Sequence, residues 1–564
     1  MSRISNSRFY IKLPIFLALA IVCGMFIGAV LNKKESNSKI SQNYMKYLEI
    51  LNYIERDYVD SVNIDDLVDY SITQMLEKLD PHTVYIPKKE TEIARSQLEG
   101  DFEGIGIEFN IIKDTIYVVT PISGGPSEAV GLMAGDKIVK VDDKNVAGIG
   151  ITNPDVFSKL RGPKGTKVKV AILRKGMRKQ LIDFVITRDK IPTYSVDVFY
   201  MIDAVSGYIK VSRFSANTYN EFKSALDTLK TRGMKQLILD LRDNPGGYLD
   251  RATKMADEFL PDHELIVYTD GKDPRYDQRY NAEFTGDFEK GPLIVLINEG
   301  SASASEIVSG ALQDNDRALI VGRRSFGKGL VQMPIPLADG SELRLTISRY
   351  YTPSGRSIQK PYSHENTDDY SADLLNRYKH GEFFHADSIK FIDSLKYKTL
   401  KGRTVYGGGG IMPDIFVPRD TSSYTPYLID LFNKNVIREY TLDYYTNHKV
   451  ELKAMTLKEY KNNFQITEDM MLNLLKLAET SEVKFKEPEY IRSKDYIKLN
   501  VKAYIARSLY GSKGFYEIIN DGDEIYEQAV KQWAKAKSIE NDPAIKPKVS
   551  KKKETSTKPK TANK

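Results

Sequence analysis

The stretch NEGSASASEIVSG, Asn298 to Gly310, sets Ser301, Ser303 and Ser305 alternately with alanines, after the apolar run PLIVLI and before a segment that reads as a helix. Ser303-Ala304-Ser305-Glu306 fits the S-x-x-E capping box, in which the first serine satisfies a free helix N–H and does no chemistry. The other reading is nucleophilic. A buried strand that turns through small residues into a helix lifts a hydroxyl to the sheet edge, and the first amides of the helix then face whatever it attacks. On that reading Ser303 attacks, the Ala304 N–H holds the developing oxyanion, and the alanines let a substrate backbone come close.

A serine hydroxyl needs a base. The six histidines, His82, His263, His364, His380, His385 and His448, show no obvious Asp-paired motif, and none is near Ser303 in sequence. Lys328, in VGRRSFGKGLVQ (Val321 to Gln332), stands between two glycines after an apolar strand. Burial disfavours the charged form of lysine and lowers its pKa by up to several units from about 10.4, leaving an amine able to take the serine proton; a solvated turn is the plain alternative. In LDLRDNPGGYLD, Leu239 to Asp250, a strand ends in a turn where Gly246 or Gly247 frees a backbone N–H for a second oxyanion contact, or merely turns the chain toward a helix. From Gly322 the chain also matches the first seven positions of the phosphate loop G-x-x-x-x-G-K. The eighth is Gly329 rather than Ser or Thr, and Pro334 and Pro336 fall where the helix should start, which argues against nucleotide binding. One cysteine, Cys23, provides no Cys-based metal site and no disulfide framework, and the serine-lysine chemistry needs no metal and no cofactor.

These residues need a scaffold, and the apolar pattern supplies one. From 191 to about 360, strands such as GYIKVSRF, QLILDLR, PLIVLI and RALIVG alternate with amphipathic helices, as in an α/β domain. The helix TYNEFKSALDTLKTRG carries a Thr218-x-x-Glu221 capping box and Gly233 just past its end. Residues 40 to 95 read as helical, with Pro81 as a stop, and 96 to 190 as a glycine-broken β-rich module. Residues 362 to 405 are polar, tyrosine-rich and without clear period, and helical patterns return from about 421 to 540.

The 564 residues are 41% hydrophobic and 28% charged, too many for one core. The net charge of +6 resides in the tail from Asn541, where eight lysines face Asp542 and Glu554; the rest is balanced, and no basic patch or zinc-finger spacing marks a nucleic-acid protein. The apolar run Leu13 to Leu31, preceded by Arg3, Arg8 and Lys12 and followed by Lys33 and Lys34, is long enough to span a bilayer as a helix. It lacks the small-x-small exit of a cleaved signal peptide, so an uncleaved anchor is expected, with the remainder extracytoplasmic.

Together GSASASEIVSGALQDNDRALIVGRRSFGKGLVQ, DLRDNPGG upstream, and YYTPSGRSIQ and GGIMPDI downstream closely resemble the carboxy-terminal processing (tail-specific) serine proteases, from about Tyr44 to Pro418. The resemblance implies a Ser-Lys dyad of Ser303 and Lys328, with Gln332 positioning the lysine. It implies a PDZ domain whose GIGIE segment, Gly104, Ile105, Gly106 and Ile107 foremost, receives a free C-terminus, and a protease core of ClpP/crotonase type. LRGPKGT, Leu160 to Thr166, is a further family-like segment.

The expected fold is thus multidomain α+β. Residues 1–35 form a cytoplasmic stub and transmembrane anchor in the inner membrane, 36–95 a helical region and 96–190 the PDZ domain. Residues 191–420 form the protease core with an insertion at about 362–405, 421–540 a helical C-terminal extension, and 541–564 a disordered Lys-rich tail. The expected function is an endopeptidase that captures protein tails with free, apolar C-termini and cuts near them in the periplasm. Its partners are those substrates, the membrane through the anchor, and an oligomer or adaptor through the C-terminal helices. A catalytically idle PDZ scaffold and a crotonase-type acyl-CoA enzyme are the alternatives; the serine-lysine pair argues against the first, and the PDZ module together with that pair against the second.

Overall fold

The computed structural model describes Ala18, Gly24 and residues 39–122, 124–174, 180–362 and 367–541. The expected span Leu13 to Leu31 lies outside the described residues but for Ala18 and Gly24, and so does the Lys-rich tail beyond Asn541. Among the described residues no helix is long and apolar enough to cross a membrane. The transmembrane anchor, the membrane partner and the inner-membrane, periplasmic placement built on it are corrected accordingly.

The chain divides into Met1–Leu79 and Asp80–Lys564. The first unit contributes α1 (Lys39–Asp57), which buries no residue, and α2 (Ile64–Leu76), capped by the Asn63 side chain and burying Leu76. The second begins with β1 (Val84–Ile86) and α3 (Lys88–Glu99). An antiparallel pair, β2 (Asp101–Gly104) and β9 (Asp189–Pro192), brackets a small β-module.

That module contains β3 (Ile107–Ile112), β4 (Thr115–Pro121), α4 (Pro126–Ala129), β5 (Lys137–Val141), β6 (Lys144–Asn145), α5 (Asn153–Leu160), β7 (Lys167–Leu173) and β8 (Ile182–Thr187). Its sheet runs β3-β4-β5-β7-β8, with β6 on β5 and β3 at one edge. Alternate residues such as Ile116 and Val118, and Val168, Val170 and Ile172, close its core. A capping box of Thr152 and Asp155, with Pro154 in the first turn, starts α5.

The larger part follows as β10 (Val196–Met201), β11 (Ser206–Val211), α6 (Thr218–Thr231), β12 (Gln236–Asp240), α7 (Leu249–Asp257), β13 (Leu265–Gly271), β14 (Arg279–Asn281), β15 (Leu293–Ile297), α8 (Ala304–Asp314), β16 (Leu319–Gly322), β17 (Leu330–Pro336), β18 (Glu342–Tyr351), α9 (Thr367–Lys379), β19 (Lys396–Lys398), β20 (Thr404–Tyr406) and β21 (Ile415–Phe416). Six strands make one sheet, β10-β11-β12-β15-β16-β21, parallel except for the antiparallel β10–β11 pair. A second, antiparallel sheet runs β1-β18-β13-β14, with β17 also on β18. One mixed sheet beside one antiparallel sheet does not indicate the ClpP/crotonase-type core expected for this region, and that expectation is corrected here. The expected capping box at Thr218 also fails to form: Asn217 precedes the helix, and Glu221 instead accepts the N–H groups of Ser195 and Val196 at 2.7 and 3.0 Å, fixing the start of β10.

Strand periodicity divides the six-stranded sheet into two buried faces. Ile209, Val211, Leu237, Leu239, Leu293, Val295 and Ile297 face α6, α7 and α8, joining Phe222, Leu226, Ala252, Ala256 and Ile307 in one core. Tyr208, Ile238, Ile294, Leu296, Leu319 and Val321 take the opposite face and meet Ile525, Tyr526, Ala529, Ala536 and Ile539. The latter residues belong to the last of a run of C-terminal helices: α10 (Pro426–Asn433), α11 (Val436–Lys453), α12 (Leu457–Asn463), α13 (Glu468–Thr480), α14 (Glu487–Ile519, broken at Gly511), α15 (Glu524–Val530) and α16 (Trp533–Asn541).

Candidate active site

At the C-terminal end of β15 the chain turns at Asn298 and enters α8 through Ser303. Ser301 Oγ donates to the Leu241 carbonyl at 2.8 Å, and Ser305 Oγ to that of Asn244 at 2.9 Å, so both serines fasten the turn to the segment after β12. Ser303 differs. It is half-buried, takes φ 53° and ψ −114°, a backbone region that residues with a Cβ rarely enter, and its hydroxyl makes no side-chain cap hydrogen bond. The capping-box arrangement is present, yet its working half is the glutamate, whose carboxylate accepts the Ser303 N–H at 2.8 Å.

Glu306 is wholly buried and accepts three further bonds: from the Lys328 N–H at 2.8 Å, the Gly327 N–H at 2.7 Å and the Ser325 hydroxyl at 2.5 Å. One carboxylate therefore joins the serine turn to the lysine loop. Burial pushes its pKa up to about 7, while the four donated bonds pull it down. Tyr350, buried in β18, donates its hydroxyl to the carbonyls of both Ser303 (3.1 Å) and Lys328, tying the same two loops from the other side.

Ser303, Lys328 and Gln332 line one cleft of about 560 Å³, together with Pro245, Gly246 and Gly247, apolar side chains including Leu98, Ile307 and Leu330, and a polar edge of Arg95, Glu342 and Arg344. Burial holds the Lys328 amine below the usual lysine range. Arg344 adds to that effect, and Glu306 and Asp80 oppose it. Lys328 and Ser303 share the cleft without a hydrogen bond between their side chains. Gln332 points its amide to Thr346 Oγ1 at 3.5 Å rather than to Lys328, and Thr346 in turn donates to Asp80 Oδ1 at 3.0 Å.

The two glycines differ in what they offer. The Gly246 N–H is taken by Asn244 Oδ1 at 2.9 Å, and a Cβ there would lie 2.8 Å from Ser303 Cβ and 2.9 Å from the Ala304 nitrogen. Its role is close approach. The N–H groups of Gly247 and Ala304 have no hydrogen-bond partner among the described residues, which leaves them free for an oxyanion. In the β-module the Ile105 carbonyl is held by Ser127 N and Oγ at 3.1 and 2.6 Å, and the Gly106 carbonyl by Ile122 N at 3.0 Å. Among the described residues the N–H groups of Ile105 and Gly106 have no hydrogen-bond partner at the start of β3, between Gly104 and Ile107.

Asp80, His82, Glu306 and Tyr350 escaped the sequence reading as site residues. Asp80 ties the turn around Pro81, accepting from His82 N (2.8 Å), Thr83 N (3.0 Å) and Thr83 Oγ1 (2.5 Å). His82 contacts Tyr370 at 2.6 Å, and burial first, then the Lys328 charge, lowers its pKa to about 4. The signal for Glu306 was the capping box itself, and for Asp80 and His82 the polar run DPHT next to a helix stop. Tyr350 gave none.

Residues 206–368 match the model of peptidase family S41, residues 104–182 that of the PDZ domain, and residues 427–511 a family of unknown function. The carboxy-terminal-processing protease of Bartonella bacilliformis is 38% identical over 348 residues, covering 60% of this chain and 79% of that protein. The carboxy-terminal processing protease CtpA of Bacillus subtilis is 34% identical over 334 residues, covering 59% and 70%. Among solved structures, the photosystem II D1 C-terminal processing protease matches at 30% identity over 56% of this chain and 89% of that one, with a TM-score of 0.32. The family model and the sequence relatives class the chain as a serine-type peptidase. It belongs to the carboxy-terminal-processing proteases of peptidase family S41 and carries a PDZ domain.

Proposed function

We propose that this PDZ-linked endopeptidase cuts protein tails through an acyl-enzyme on Ser303, with Lys328 as general base. The single observation that carries this reading is the pairing in one cleft of a half-buried hydroxyl on a strained turn with an amine that burial drives toward neutrality. An extended substrate brings its scissile carbonyl over Ser303. Oγ attacks, its proton passes to Lys328 Nζ, and the negative oxygen settles between the N–H groups of Ala304 and Gly247. Gly246 keeps that corner narrow by having no side chain. The protonated lysine then returns the proton to the departing amine, and the neutral amine activates water to release the acyl group. Gln332, held from the Thr346 side, limits where the lysine head can lie. The Gly104–Ile107 loop receives the free carboxylate of the tail, its Ile105 and Gly106 N–H groups serving as donors.

The test is incubation of the full chain with an unfolded substrate ending in an apolar residue. Cutting should stop in Ser303→Ala and in Lys328→Ala, and a serine-directed phosphonate should label Ser303 by peptide mass. Undiminished cutting by Ser303→Ala would remove the nucleophile.

A further inference from the structure

The C-terminal helices reach the PDZ domain as well as the protease sheet. At the edge strand β3, Arg507 pairs with Glu108 at 2.7 Å and Lys113 with Glu439 at 2.9 Å, while Arg438 donates to Asn110 Oδ1 at 2.8 Å. Leu442 buries itself against Ile112 and Tyr117. The Asn435 amide donates to the Ile111 carbonyl at 3.4 Å. Glu108 and Glu439 are thereby neutralised. Arg438, exposed and lying over the Tyr504 ring at 5.4 Å, has no carboxylate partner among the described residues.

A peptide docks on an edge strand by adding a strand of its own. With its carboxylate in the Gly104–Ile107 loop, its C-terminus sits at the start of β3, so its earlier residues run antiparallel toward Ile112. Side chains opposite each other across such a pair share a face. The last, third-last and fifth-last residues then turn with Ile107, Phe109 and Ile111 into the groove below α5, where Phe109 meets Phe157 edge-on at 5.8 Å. The second-last and fourth-last lie beside Glu108 and Asn110, on the face where Arg507 and Arg438 stand. At the fifth-last residue, opposite Ile111, Asn435 already occupies the strand edge.

We propose that the region of unknown function, residues 427–511, extends the PDZ groove, and that Arg438 selects an acidic side chain at the fourth residue from the substrate C-terminus. This rests on the reading that tails dock at Gly104–Ile107. An unpaired cation already oriented by Asn110 and Tyr504 needs little further ordering to meet a carboxylate, and a lysine there is repelled.

The experiment measures fluorescence anisotropy of the full chain carrying Ser303→Ala with ten-residue peptides that share an apolar last residue. They carry Glu or Lys at the fourth-last position, each with a free or an amidated C-terminus. The Glu peptide should bind about fivefold tighter than the Lys peptide, and amidation should weaken both. Arg438→Gln should erase the Glu–Lys difference and keep the effect of amidation, and about 0.5 M salt should narrow the difference in the parent. Equal affinity of the two free-carboxylate peptides, with amidation still weakening both, would overturn this inference alone. Indifference to amidation would overturn the tail-docking reading and this inference with it.

Discussion

Two titrating side chains, Lys328 and Glu306, meet across the serine turn, and their demands have the same sign. Lys328 accepts a proton only when neutral, so the rate rises as pH climbs through its lowered pKa. Glu306 offers four acceptor positions only when ionised, and burial sets that ionisation near pH 7. We therefore expect kcat/KM to increase across the neutral range toward alkaline pH, and Lys328→Arg to be inactive at every pH because guanidinium stays charged. A stopped assay at constant ionic strength decides this; a profile flat from about pH 5 to 9 rules out the lysine base. Glu306→Gln is a second case. Either orientation of its amide turns an NH₂ group toward two existing donors, at Oε1 or at Oε2. A fall of about a hundredfold in kcat, with KM nearly unchanged, is expected from the displaced Ser303 and Lys328 backbones. Equal kcat in the variant would reduce Glu306 to a packing residue.

At the scale of elements, the strand-turn-helix around Ser303 and the glycine turn after β12 form one device, pinned together by Ser301 and Ser305. Gly247 takes φ 145°, and a Cβ on it would lie 2.0 Å from the Phe214 carbonyl oxygen, so Gly247→Ala must shift the turn and with it the proposed Gly247 N–H donor. Loss of one oxyanion donor lowers kcat by roughly 10²- to 10³-fold, and steady-state kinetics beside a thermal melt separates that loss from unfolding. Local chemistry of this kind was legible in the sequence. Small residues after an apolar strand mark an elbow, and a lysine between glycines marks a loop, because both depend on neighbours a few positions away. Asp80 was not legible, since only the β1–β18 pairing brings it to Thr346 and so toward Gln332. The Thr218 cap was misread because Glu221 found better donors in Ser195 and Val196, where β10 begins, than its own helix offered. Gln332 was named from family likeness, and among the described residues its side-chain amide bonds Thr346 instead of the lysine.

Across the whole molecule, the largely parallel six-stranded sheet is buried on both faces, yet the helices that alternate with its strands cover one. The second cover comes from α15 and α16, more than two hundred residues after β16. Periodicity revealed that those helices have an apolar side; it was silent on what that side meets. Tyr526 stands edge-on to Tyr208 at 5.6 Å, and beside it Arg242 bridges Asp240 and Asp523 at 2.6 Å each. Arg242 directly precedes the Asp243–Gly247 turn, so the same helices that cover the sheet also hold the root of the proposed oxyanion corner. If they are part of the protease core, Tyr526→Ala opens a cavity in it and costs about 3–5 kcal/mol, as for other large aromatic truncations. Denaturant unfolding followed at once by loss of activity and by far-UV dichroism would then give a single transition at lower denaturant concentration. A variant unfolding at the parental midpoint, or melting its C-terminal helices in a separate step with activity intact, would make them an appended layer instead.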